Sequence, residues 1–342
     1  MLRRSVTESK GSGRQHARMP RIPRRLQQAG QLAVSVAGAG VIVHSVNLAA
    51  LGRMVSSASP ALLVSAVVLG ALAQATAFPQ WAVLLHDRSA LGWRRLASVF
   101  LRATFIGQAL PTGVGGDAVR AVEVGRTLGY GNVLGSLVAS HLMGMIAMAS
   151  WAVAGSLFVS GLPTESARIL ASAFLLLVTA LAVAALNSDR ILGRVRGGRR
   201  ATRVIVEMGH CLGSYRRERT RLLSAFTVCL AGWALNLASM VLFARSLGAD
   251  PGWQIFALAV PVSLAATLLP ISINGFGLRE GIFVGVVAHA GVGAVAATAL
   301  AVFADLQILP VALLGGAVCL GRLGSTRRGA PVVAPVAVPA LA

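Results

Sequence analysis

The strongest constraint on this chain is a succession of apolar runs, each about twenty residues long, enough to cross a bilayer as one helix. The candidate spans are 31–51, 60–85, 132–160, 167–186, 222–244, 254–270, 282–303 and 306–321. No stretch shows the alternating pattern of an outer-membrane barrel strand. Of all residues, 56% are hydrophobic and 12% are charged; a soluble domain carries about twice that charged fraction. The pattern predicts an all-α fold: a polytopic helical membrane protein of about eight transmembrane helices.

The formal net charge of +20 raises the question of nucleic acid. Its distribution answers otherwise. Residues 1–28 hold eight basic residues against Glu8, and residues 188–221 hold ten arginines against Asp189, Glu207 and Glu218. Basic clusters that flank apolar spans mark the cytoplasmic side and suit an anionic lipid surface. The expected partners are therefore membrane lipids and no nucleic acid, in the plasma membrane. The loops 52–59, 161–166 and 245–253 carry few charges and are expected outside, which places both termini in the cytoplasm. Cys211, Cys229 and Cys319 have no metal-ligand spacing, and the six histidines form no cluster, so no metal and no cofactor is expected. His44, His141 and His289 fall within spans, where histidine most often bonds between helices.

The expected organisation is a disordered basic tail over 1–28, a transmembrane domain over 29–322 with the basic cytoplasmic loop 188–221, and a Pro/Ala/Val-rich disordered tail over 323–342. The first apolar segment, 31–51, is long enough to span and reads as an uncleaved first helix. Residues 96–111 are apolar but only sixteen long, and they contain Arg102. That length suits a re-entrant or interfacial helix in addition to the crossings.

Two short segments share one pattern. Pro111, Gly113, Gly115, Gly116, Asp117 and Arg120 make the first; Pro270, Asn274, Gly275, Gly277, Arg279 and Glu280 make the second. In both, glycine follows proline by five positions and arginine by nine. Proline ends the preceding helix, because it lacks an N–H and disfavours helical geometry in the residue before it. The glycines allow a turn or a close approach of backbone to ligand. Asp117 falls where a new helix begins, with Arg120 one turn on and Glu123 beyond it. A broken helix with exposed amides and an arginine can hold a phosphate. Charges at broken helices within a membrane point to a binding site, and corresponding breaks in two halves point to an internal repeat, parallel or inverted.

The strings from Gln108 through Arg120, Ser140 through Gly144, and Leu269 through Glu280 resemble the transmembrane region of lysylphosphatidylglycerol synthases, a flippase-like family of integral membrane proteins. The resemblance covers roughly residues 30–322. It implies movement of a lipid with a modified or glycosylated head group between leaflets. The best-known members carry a soluble aminoacyl-transferase domain, which this sequence is not expected to include, so lysyl transfer is not carried over.

The first expectation is thus a lipid translocase, not an enzyme. Its ligand would be an anionic phospholipid, an aminoacylated lipid or a polyprenyl-linked sugar. Arg120 and Arg279 would contact the phosphate. Asp117, Glu123 and Glu280 would balance charge or hold a cationic head group, and Arg102 would line the lipid path. No phosphate-binding loop of an ATPase is present. The alternatives are a polyprenyl-phosphate-dependent glycosyltransferase with Asp117 as its acid, and a non-catalytic accessory subunit of envelope assembly. A homo-oligomer or envelope-assembly partners fit any of the three.

Overall fold

A computed structural model describes residues 52–53, 56–109, 115–159, 164–192, 200–265 and 277–326. The expectations for 1–28, for the span 31–51, for 327–342 and for Pro111, Gly113, Pro270, Asn274 and Gly275 lie outside these residues.

The secondary structure of the described residues is helical, with the helices joined by short turns. Helix α1 (Pro60–Ala75) starts with proline at its first turn, where the missing N–H costs nothing. It bends at Thr76 into α2 (Ala77–Leu84), and the two make one apolar span of 25 residues. Then come α3 (Trp93–Ala109), α4 (Gly115–Leu128), α5 (Tyr130–Phe158) and α6 (Thr164–Leu186). The basic stretch forms α7 (Ser188–Leu192) and α8 (Arg200–Ser214). Helices α9 (Arg219–Ser246), α10 (Trp253–Ala265), α11 (Leu278–His289), α12 (Ala294–Leu306) and α13 (Leu309–Thr326) complete the order.

Five stretches are long and apolar enough to cross a membrane: Pro60–Leu84, Tyr130–Phe158, Glu165–Leu186, Arg219–Ser246 and Ala294–Gly321. Four match expected spans closely. The fifth corrects the sequence reading. The span expected at 282–303 is broken: α11 ends at His289, Gly291 takes a φ of 85°, and helix resumes at Ala294. Glycine adopts that left-handed geometry without a Cβ clash and stops the helix. The apolar letters on both sides hide the stop. The continuous stretch instead runs through α12 and α13, with only Gln307 and Ile308 between them. Helix α13 also continues to Thr326, past the expected boundary at 322.

Large apolar side chains point outward as well as inward. Leu176 is 71% exposed, Leu313 68% and Leu320 70%. Water would penalise such a surface, and hydrocarbon does not. Inside, one core gathers Phe256, Phe283, Val287 and Leu300 with Phe243 stacked on Phe303 at 4.0 Å. A second packs Trp81, Leu96, Val99, Phe100 and Val124 among α2, α3 and α4. Small residues let helices approach closely, as is usual where no hydrophobic effect drives association. A Cβ on Gly315 of α13 would fall 2.0 Å from the Leu101 carbonyl oxygen of α3, so these two helices meet backbone to backbone.

Helices α3 and α4 pack against each other on either side of the first motif, and α10 and α11 do so on either side of the second. Asp117 and Arg120 of the first motif lie on α4, and Arg279 and Glu280 of the second lie on α11.

Candidate functional site

Gly115 and Gly116 begin α4, so they are helical and not part of the turn. Gly116 serves close packing: a Cβ there would lie 2.9 Å from the Ala103 carbonyl oxygen of α3. Asp117 falls in the first turn of α4, where the helix dipole favours a carboxylate. Arg120 follows one turn later, with Nη1 3.3 Å from Asp117 Oδ1.

Arg120 is largely enclosed. Its guanidinium carbon lies 4.5 Å from the Phe100 ring centroid and 5.5 Å from that of Trp81. Aromatic faces stabilise a cation, but they accept few of its N–H bonds. Arg120 Nε is buried with no hydrogen-bond partner among the described residues. Leaving a charged donor unsatisfied in this way is costly, and an anion would relieve it.

This arginine lines a cavity of about 680 Å³ bounded by α1, α2, α3, α4, α5 and α9, with Leu264 of α10 and Ile308 between α12 and α13 also on its wall. That volume is in the range of small-molecule sites. Gln74, Gln80, Gln108, Asp117, His141, Trp233 and Asn236 also face it. His141 Nδ1 lies 2.8 Å from the Leu137 carbonyl oxygen, which can only accept, so Nδ1 carries the proton. The other nitrogen, Nε2, is 3.5 Å from Asp117 Oδ2. Asp117 is thus shared between Arg120 and, when the imidazole is protonated, His141.

The remaining expected residues lie elsewhere. Arg102 and Glu123 make a two-pronged ion pair at 2.6 and 2.5 Å that ties α3 to α4. In the second motif, Gly277 has a φ of 84° and caps α11. Its N–H donates to Glu280 Oε2 at 2.5 Å, and Arg279 contacts Glu280 Oε1 at 3.1 Å. Arg279 also pairs closely with Asp305 of α12. Among the described residues, neither Arg279 nor Glu280 lines the cavity. The structure therefore brings Asp117 and Arg120 together at the cavity, and gathers Arg279, Glu280 and Asp305 into a separate ion cluster that joins α11 to α12.

Sequence reasoning missed Gln74, Gln80, Asn236 and Asp305 as site or cluster residues. All four are polar residues inside apolar spans, and that is the signal that would have found them. Gln80 Nε2 donates to the Ser140 carbonyl at 2.6 Å and to its hydroxyl at 2.9 Å, and Asn236 Nδ2 donates to Gln307 Oε1 at 2.5 Å.

A second polar cluster lies in the basic stretch and its neighbours. His86 Nε2 is 2.9 Å from Glu218 Oε1 and 3.2 Å from Ser214 Oγ. Cys211 lies beside Asn132 and Tyr215, and the Tyr215 hydroxyl donates to the Leu84 carbonyl. Burial pushes the Cys211 thiol up to about 11 from its ordinary 9.0 and raises the Tyr215 phenol as well. A thiol kept protonated is a packing residue and a poor nucleophile. This cluster docks α8 against α5 and the start of α9.

The sequence signature of the family described as the lysylphosphatidylglycerol synthase TM region matches residues 28–316. A stretch of 77 residues is 34% identical to part of a UPF0104 membrane protein of Methanothermobacter thermautotrophicus, a match that spans 22% of this chain and 22% of that protein.

Proposed function

The chain belongs to the family of the lysylphosphatidylglycerol synthase transmembrane region, and from that premise we propose that it moves a phosphate-bearing lipid between the leaflets of the plasma membrane. One observation carries the reading: a buried arginine whose Nε has no hydrogen-bond partner among the described residues, on the wall of a cavity lined by apolar helices. A phosphate is the anion such a donor suits best. The aromatic faces of Phe100 and Trp81 hold the cation in place while the site is empty, and Asp117 neutralises it.

A short helix supports a path for the lipid. Helix α11 has 12 residues between its caps at Gly277 and Ala290. At 1.5 Å per residue it is about 18 Å long, short of the roughly 30 Å hydrocarbon core. It packs on α10, as α3 packs on α4. Paired helix breaks frame binding sites in transporters. The lipid phosphate enters the cavity, meets Arg120 and leaves toward the other leaflet while the acyl chains stay in hydrocarbon. The Arg279–Asp305–Glu280 cluster ties α11 to α12 and so holds the start of α11 in the frame.

The test is a leaflet assay. Purified protein is reconstituted into liposomes with acyl-labelled phosphatidylglycerol, lysyl-phosphatidylglycerol or a polyprenyl-phosphate hexose on one leaflet. Protein-dependent loss of asymmetry for at least one lipid is expected. Movement of all three at the protein-free rate contradicts the reading, and formation of a new glycan that is abolished in Asp117→Asn replaces it with a glycosyltransferase.

A further inference from the structure

Arg120 suits a phosphate, and other groups around the cavity bear on the head group attached to it. The cavity's charge inventory narrows the choice. A cationic aminoacyl head group needs carboxylates that are free to meet its ammonium groups. Four acids stand near the two motifs, and three are committed away from the cavity: Glu123 to Arg102, and Glu280 and Asp305 to Arg279. Only Asp117 lines the cavity. It is held by Arg120 at 3.3 Å, with His141 Nε2 on its other oxygen at 3.5 Å. Carboxylate plus guanidinium gives a neutral site, and a protonated His141 makes it positive.

The uncharged groups point the same way. The side-chain amides of Gln74 and Gln108 line the cavity, and each carries both a donor and an acceptor. Gln80 and Asn236 spend their N–H groups on Ser140 and Gln307, which leaves their amide oxygens as acceptors. The Trp233 indole N–H donates to the Gly144 carbonyl at 3.1 Å, so what the ring gives the cavity is apolar surface. Amides that both donate and accept match neighbouring hydroxyls, and a ring surface suits the C–H face of a sugar or glycerol.

We propose that this cavity takes the phosphate ester of a neutral polyol and selects against cationic aminoacylated head groups. The proposal rests on the lipid-translocation reading for its setting, but it concerns binding alone. Two sources share this chemistry, a glycerophospholipid such as phosphatidylglycerol and a polyprenyl-phosphate sugar. Arg120 takes the phosphate, and the amides of Gln74 and Gln108 take the hydroxyls. Asp117 is a competitor for Arg120 and not a ligand contact.

That last point sets the sign of the test. Acyl-labelled phosphatidylglycerol is bound to the purified full chain in detergent and displaced by unlabelled phosphatidylglycerol, polyprenyl-phosphate hexose or lysyl-phosphatidylglycerol. At least one polyol lipid should displace it at a roughly tenfold lower concentration than the lysyl lipid, a difference of about 1.4 kcal/mol. Which polyol lipid displaces better identifies the source. Asp117→Asn should keep or tighten this binding, and Gln74→Leu should weaken it about fivefold, the worth of one hydrogen bond. Equal or better displacement by the lysyl lipid overturns the proposal, as does loss of binding in a folded Asp117→Asn protein or the absence of saturable binding. Because binding is read without a bilayer, a protein that binds polyol lipids but fails the leaflet assay contradicts translocation alone. One that translocates lysyl-phosphatidylglycerol best contradicts the head-group assignment alone.

Discussion

Arg120 shows how one residue acquires a function from its surroundings. Its letter and its spacing from Pro111 were visible in the sequence. What makes it a binding group is the enclosure by Phe100 and Trp81, which lie twenty and thirty-nine positions earlier and reach it only because α2, α3 and α4 pack together. Cys211 is the contrasting case. Its thiol is held near 11 mainly by burial. The unfolded chain loses this proton near 9.0 and the folded one keeps it to about 11, so the stability the thiol contributes is complete below 9 and falls as pH rises from 9 to 11. Maleimide labelling of Cys211 in the folded protein at pH 8 should therefore be much slower than for an exposed thiol. Labelling at the exposed-thiol rate would mean that α8 is not docked against α5 as described.

At the scale of elements, hydropathy was enough to find the spans 60–85, 132–160, 167–186 and 222–244, because each is a continuous apolar stretch of helix, the first with one break at Thr76. It failed at 282–303, where Gly291 stops a helix inside an unbroken apolar run. It also could not assign the partners of charged residues. Arg102 and Glu123 read as site residues from their letters, yet each is the other's partner between α3 and α4. Removing one member should destabilise the packing of these two helices by on the order of 2 kcal/mol and leave the other charge unpaired. In a thermal-melting double-mutant cycle, Arg102→Ala and Glu123→Ala should show strong coupling, whereas additive losses would contradict the pairing. Gly315→Val should also cost about 1–3 kcal/mol, since its side chain meets the Leu101 carbonyl.

For the whole molecule, the apolar exterior and the cavity with its polar side chains are two sides of one arrangement. Leucines on α6 and α13 face hydrocarbon, while Gln74, Gln80 and Asn236 turn inward from otherwise apolar spans. The two motifs, so alike in sequence, have different surroundings. The first opens on the cavity, and the described part of the second locks α11 to α12 through Asp305. Spacing along the chain could suggest the repeat but not this division, because it depends on which helix each arginine packs against. The account accordingly gives Arg120 a role in the ligand and Arg279 a role in the frame. The most direct measurement is the initial rate of phospholipid movement between leaflets in liposomes holding equal amounts of folded wild type and Arg120→Gln. Loss of the buried charged donor should slow movement roughly ten- to a hundredfold, to near the protein-free rate. An Arg120→Gln protein that moves lipid as fast as wild type would contradict the central claim.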